Sequence, residues 1–308
     1  MRSIFRWTAA LMLVLGMAFS AQADDTAAQI RQHAADHRML VLGEYHGTRQ
    51  TPLLVRQLVD DYSRDGTPVL LALELPRAEN PSLRDYLDSD GSPAARQRLQ
   101  ERAYWTVRDD QHDGRRSRDM LAMIESLRAL QAQGRDIGIV GYDVDRSDDG
   151  NQARDEGMAI EVRRLYQGLP DTARMVVLSG NVHAMLQRPE GAPPEMQMQP
   201  MASLLRDLDL YSVRLEALRG QFWACLDRCK ALPLRDQVAR APQADTEAGR
   251  QYDLWAWMPE LSVGTLVDPV LTVMHPSTHG VDGFPVTQGA RREYRCAITP
   301  QTISWIWW

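Results

Sequence analysis

Residues 39–48 read MLVLGEYHGT. Four apolar residues run into Gly43, Glu44 and His46 follow two positions apart, and Gly47 closes the stretch. A short, nearly continuous apolar run is the signature of a strand buried on both faces, which is typical of a parallel sheet. The acid and the imidazole then fall at the C-terminal end of that strand.

Runs of strand length recur as VLLALEL at 69–75, DIGIVGYDV at 136–144 and RMVVLSGN at 174–181, all nearly continuous in apolar character, and as LYSVRLEAL at 210–218. Helical patterns separate them. In TPLLVRQLVDDYSRD (51–65), Pro52 suits a first turn and Leu54, Leu58 and Val59 share a face. SRDMLAMIESLRALQAQG (117–134) has Ser117 as N-cap and Gly134 as its terminating glycine, and QARDEGMAIEVRRLYQGL (152–169) forms another helix. Alternating strands and helices predict an α/β fold with a central, largely parallel sheet flanked by helices.

Three segments stand outside this rhythm. Residues 76–116 read as a helical insertion, two short helices followed by the polar DDQHDGRR. Residues 187–200 are a proline-rich loop, and from 219 onward turns, tryptophans and short β-like pieces predict an irregular extension, an antiparallel edge or a small lid. The expected organisation is a signal peptide at 1–23, an α/β core domain at 24–218 carrying the insertion, and a C-terminal extension at 219–308 packed on the core.

The signal peptide is expected from Arg2 and Arg6, an apolar run of about a dozen residues, and Ala-Gln-Ala before Asp24. That run is too short for a membrane span, which needs about 20 apolar residues. The chain is therefore expected to be periplasmic or secreted, without a lipid anchor, since no cysteine stands near the cleavage site. The net charge of −6 is mild, and the arginines are scattered among acids, which gives no support to nucleic-acid binding. Of three cysteines, Cys225 and Cys229 are expected to form a disulfide that fixes a small loop around Trp223, leaving Cys296 as the odd one.

In a parallel sheet the C-terminal strand ends share one edge, and ligands bind there. The first run delivers Glu44 and His46 to that edge, the second Glu74, the third Asp143 and Asp145, and the fourth Asn181 and His183. Gly43 and Gly180 precede two of these sets and let backbone approach closely. The two Gly-x-x-His patterns, GEYHG and GNVHA, are the most specific signal in the chain.

Together with LALELP, these motifs resemble the superfamily that joins erythromycin esterases, ChaN-type haem-binding proteins and Tiki/TraB-type proteases. The resemblance spans roughly residues 38–215. It implies that Glu44, His46, Glu74 and His183 form the polar centre, and it leans toward the esterase branch because GTRQTP follows His46 where the ChaN branch carries more acids and histidines.

The residue types allow several chemistries. A neutral His46 can take a proton from water, with Glu44 or Glu74 orienting it, and His183 can donate to a developing oxyanion or leaving group. Glu44, His46 and His183 are instead a ligand set for a divalent metal. Tyr45 or His46 is a candidate haem ligand, making the chain a binding protein without turnover. Asn181, Asp143 and His112 are further candidates for contact with a substrate or cofactor. The leading expectation is an exported hydrolase of a small-molecule ester, amide or related bond. No Gly-x-Ser-x-Gly elbow and no dinucleotide fingerprint is present. His33 and His37 are expected on a solvated first helix, and His275 and His279 in a loop.

Overall fold

The structure is a computed structural model that describes residues 25–106, 112–144, 150–188, 198–225, 228–234 and 251–267. The expectations for residues 1–23, Asp145, His275, His279 and Cys296 lie outside these residues.

The described chain begins with helix α1 (25–33). Strand β1 (Met39–Glu44), helix α2 (Gln50–Ser63) and strand β2 (Val69–Pro76) follow, and then the insertion with helices α3 (Asn80–Leu87) and α4 (Pro93–Gln100). Helix α5 (Arg118–Ala132), strand β3 (Ile137–Asp143), helix α6 (Gly150–Gln167), strand β4 (Arg174–Gly180) and strand β5 (Leu210–Ala217) complete the expected alternation. Strands β6 (Gln221–Cys225), β7 (Cys229–Pro233) and β8 (Leu254–Met258) come last.

Six strands form one sheet in the order β3-β2-β4-β1-β5-β8. Every pairing within it is parallel. β8 is a correction to the expected antiparallel edge: it pairs in parallel with β5, from Val213 opposite Leu254 to Ala217 opposite Met258. The apolar face of LWAWM is short and isolated in sequence, so its direction is set only by the neighbour it pairs with. β6 and β7 form a separate antiparallel hairpin.

The sheet is covered on both sides, which explains the apolar character of its strands. On one face Leu40, Leu42, Leu71 and Leu73 pack with Leu54, Leu58 and Val59 of α2, Ile124 and Leu127 of α5, and Leu83 and Leu99 of the insertion. On the other, Met39, Val41, Met175 and Val177 pack with Met158, Ala159 and Val162 of α6 and with Met201 and Leu205. Fully burying each large aliphatic side chain is worth about 1.5–3 kcal/mol. Helix ends follow the sequence cues: the Ser117 hydroxyl accepts from the Met120 N–H at 3.1 Å, and Gly134 takes a φ of +92° just past α5. His33 is exposed on α1, whereas His37 falls beyond that helix and bonds Asp209 at 2.8 Å. No helix among the described residues is long and apolar enough to cross a membrane.

Candidate active site

β1 and β4 are neighbours, and their register places Glu44 beside Gly180 and Gly43 beside Ser179. The two Gly-x-x-His segments therefore begin side by side. An added Cβ at Gly43 would meet the Ala184 Cβ at 2.9 Å and the Asn181 Cα at 3.0 Å, so this glycine lets the two strand ends close on each other. Beyond β1 the chain turns, and the His46 ring comes back over β4: a Cβ at Gly180 would lie 3.0 Å from His46 Nε2 and 3.5 Å from Glu74 Oε2. β2 contributes Glu74 at a register shift between Leu73 and Pro76. Irregularities of this kind re-aim side chains beside functional sites.

His46 Nδ1 lies 2.9 Å from Glu44 Oε1. Its Nε2 lies 3.8 Å from Glu74 Oε2, beyond hydrogen-bond length. His46 is 24 % exposed at its side chain, while Glu44 and Glu74 are 4 % and 5 % exposed. Of this trio the imidazole is the most exposed, and the two carboxylates are buried.

Glu74 is held from four directions. Its Oε2 accepts from the Gly180 N–H at 2.7 Å and the Ser179 hydroxyl at 3.2 Å. Its Oε1 accepts from Arg154 Nη2 at 2.7 Å and Arg115 Nη1 at 2.8 Å. Arg154 also forks onto Asp143, with Nε to Oδ1 at 2.9 Å and Nη2 to Oδ2 at 2.8 Å. Arg115 is tied in turn to Asp113 through Nη2 at 2.7 Å and Nε at 3.1 Å. Paired, hydrogen-bonded charges of this kind are what makes burial of so many ions tolerable.

His183 Nε2 lies 2.9 Å from Arg154 Nη1, and its Nδ1 lies 2.8 Å from Asp155 Oδ1. A guanidinium can only donate, so Nε2 is the acceptor and the ring proton sits on Nδ1, directed at Asp155. Asp155 also accepts from the Met201 N–H at 2.7 Å. His183 thus has no spare N–H for an oxyanion, contrary to the expected role; it instead braces Arg154.

The two central carboxylates are pushed apart. Burial raises the Glu44 carboxyl above its ordinary value, and the hydrogen bond with His46 offsets this only in part. Burial acts on Glu74 in the same direction, but the Arg115 and Arg154 guanidiniums outweigh it and hold Glu74 well below the usual carboxylate range. For His46, burial disfavours the imidazolium, yet the Glu44 hydrogen bond and the Glu74 and Glu44 charges prevail and raise it. Carboxyls separated in this way are a mark of acid–base sites.

Other expected residues are placed elsewhere. The Tyr45 ring packs on Phe222 in the core, and its hydroxyl donates to Glu216 at 3.1 Å and accepts from Arg214 at 2.6 Å. Tyr45 is therefore turned away from the rim, and its buried phenol is held far above its ordinary pKa by desolvation. His112 is fully buried; its Nδ1 accepts from the Gly114 N–H at 2.9 Å and its Nε2 faces the Arg116 carbonyl, so it shapes the loop that presents Arg115. The Asn181 N–H donates to the Glu44 carbonyl at 3.0 Å, tying the two strand ends. Among the described residues, Asp143 is tied to the site through the two arginines.

The proposed metal set does not come together. His183 presents its nitrogens to Asp155 and Arg154, and among the described residues no group of three or more His, Cys, Asp and Glu side chains is arranged to hold a metal ion. Nor does the Tyr45 hydroxyl, engaged in the core, fit a haem at the rim.

Sequence reasoning missed Arg115, Arg154, Asp155 and Asp113. A signal existed for two of them. Arg154 and Asp155 fall on the same stripe of α6 as Met158, Ala159 and Val162, and that stripe is the buried one. Charges on the apolar face of an amphipathic helix call for partners in the core.

No protein-family model and no curated protein matches the chain. Solved structures share its fold. A succinoglycan biosynthesis protein aligns with a TM-score of 0.54 at 11% identity, covering 78% of this chain and 92% of that one. A Bacillus cereus protein aligns with a TM-score of 0.53 at 9% identity over 78% and 92%. A mutant of the erythromycin esterase EreC, in its open conformation, aligns with a TM-score of 0.53 at 12% identity over 79% and 90%. The chain has an erythromycin-esterase-like fold. At these identities the likeness concerns the fold alone.

Proposed function

We propose that the chain is an exported hydrolase in which His46 is the general base that activates water against an ester, amide or related bond of a small molecule. The observation that carries this reading is the setting of His46: Nδ1 is fixed on buried Glu44, Nε2 lies 3.8 Å from an ionised Glu74, and the side chain is still 24 % exposed.

Water near His46 Nε2 gives up a proton as its oxygen attacks the carbonyl carbon. Glu44 holds the Nδ1–H tautomer and, with Glu74, stabilises the imidazolium that forms. The imidazolium then returns the proton to the leaving alcohol or amine, so the net change is addition of water across the bond. Arg115 and Arg154 are consumed by Glu74, Asp113 and Asp143, and they fix Glu74 rather than bind substrate. Export is supported by the signal-like N-terminus and by the disulfide between Cys225 and Cys229, a bond suited to oxidising compartments.

The test is a screen of the purified mature protein on generic esters and amides, with and without chelator, alongside H46N. Hydrolysis that survives chelator and falls about 10²–10⁴-fold in H46N is expected. Hydrolysis unchanged in H46N would refute the assignment. A haem-dependent Soret shift lost in H46N, without any turnover, would favour a binding protein instead.

A further inference from the structure

The β6–β7 hairpin lies outside the central sheet, yet it touches the candidate site at both of its loops. The Trp223 backbone N–H donates to the His46 carbonyl at 3.0 Å. The Trp223 indole N–H donates to the His112 carbonyl, and its ring meets the His112 ring edge-on with centroids 6.3 Å apart. One residue thus bonds the loop carrying His46 and the loop carrying Asp113 and Arg115.

The packing there leaves no room for slack. Gly47 and Gly114 both adopt positive φ, +69° and +89°. A Cβ on Gly47 would lie 2.6 Å from the Trp223 Cβ and 2.7 Å from the Gly114 Cα; one on Gly114 would lie 2.8 Å from both the Trp223 Cβ and the Gly47 Cα. The backbones of the two loops and the Trp223 Cβ form a three-way contact that only glycines permit.

Two residues on, Cys225 stands opposite Cys229 in the hairpin register, and the pair is bridged. A bond closing so small a loop removes little chain entropy compared with the roughly 3 kcal/mol of a 15-residue loop. By that measure the bond is a local brace. Trp223, two residues away, is what connects this brace to the loops of the site.

We propose that Trp223, presented by the disulfide-closed hairpin, is a positioning residue that clamps the His46 and Arg115 loops together, and that reduction of Cys225–Cys229 by a dithiol releases the clamp and lowers turnover. The turnover part rests on the reading of His46 as the base. Chemically, one thiolate of the dithiol attacks a protein sulfur and displaces the other as a thiolate. The second thiolate of the reagent then resolves the mixed disulfide. Two electrons pass to the protein, which holds two thiols, and the reagent leaves as a disulfide.

The experiment compares oxidised, dithiol-reduced and reoxidised protein, with C296S, C225S/C229S and W223F alongside. Kinetics, melting temperature and hydrogen exchange of peptides spanning 44–48, 112–117 and 219–225 are read together. Reduction is expected to lower kcat about tenfold or more with KM nearly constant, because small misplacement of a reacting group is costly. Exchange should rise in all three peptides, and reoxidation should restore both readouts. C225S/C229S should start low and ignore the dithiol, and C296S should respond as the parent does. If reduction unfolds the whole chain, W223F with its disulfide intact decides: it should lose kcat and keep its melting temperature within a few degrees. Unchanged exchange at 44–48 and 112–117 on reduction overturns the clamp, whatever the activity. Absent or His46-independent turnover overturns the hydrolase reading instead, and hydrogen exchange still judges the clamp.

Discussion

Replacing Gly180 with alanine probes the geometry of the site with a single methyl group. The methyl would stand 3.0 Å from His46 Nε2, 3.4 Å from His46 Cε1 and 3.5 Å from Glu74 Oε2. Ordinary non-bonded contacts lie at about 3.5–4.0 Å, so the imidazole must withdraw by roughly 0.5–1 Å. Position 180 is not among the positive-φ glycines, and alanine fits its backbone. A compatible Gly→Ala change gains about 0.4–1 kcal/mol through the unfolded state, against an overpacking cost of about 1–3 kcal/mol. The net loss of stability is then about 0–2.5 kcal/mol. A displacement approaching 1 Å costs up to about 10²-fold in rate, so kcat/KM should fall about 10–100-fold. G43A is the contrast, since its methyl would press on the Asn181 Cα and the Ala184 Cβ, which cannot swing aside. G43A should be the less stable of the two. The assay is kcat/KM on the best ester from the screen, with urea unfolding in parallel. G180A with parental kcat/KM, or less stable than G43A, would refute the argument that His46 is packed directly on Gly180.

Three further outcomes follow from the same network. R154M should lose about 3–5 kcal/mol in urea unfolding, because removing a guanidinium that is 5 % exposed strands Glu74 and Asp143 as buried charges; stability within about 1 kcal/mol of the parent would show that these acids are not held as charges. The acid limb of the kcat/KM–pH profile should inflect above about 6.5, the ordinary histidine value, since the base must be deprotonated and its pKa is raised by Glu44 and Glu74 against burial; an inflection below that value would contradict it. Glu74 has a folded pKa depressed by Arg115 and Arg154 despite burial, so its contribution is present above the ordinary Glu value of about 4.3 and is lost as pH falls through the folded pKa. Stability should drop on acidification below about pH 4.3, and E74Q, already weaker at neutral pH, should drop less; parallel pH curves for the two proteins would sink this account.

The sequence alone determined the five buried strands from β1 to β5, the helices between them and the polar character of the strand ends. Those features are local. Continuous apolar runs, capping residues such as Ser117 and terminating glycines such as Gly134 act within a few residues of the chain. His46, Glu44 and Glu74 were legible for the same reason, because each stands at the end of a recognisable strand. The Cys225–Cys229 bridge was legible from spacing and the expectation of export. The tertiary structure alone decided what these residues do with one another. Arg154 meets Glu74 across 80 positions, Trp223 meets His112 across 111, and Tyr45 meets Glu216 across 171. Whether Tyr45 faces the rim or the core, and whether His183 offers an N–H or accepts one, depends on such partners. A side chain's charge is written in its own position, but the field that sets its proton and the neighbour that takes its hydrogen bond are supplied by strands and loops brought together only when the sheet closes.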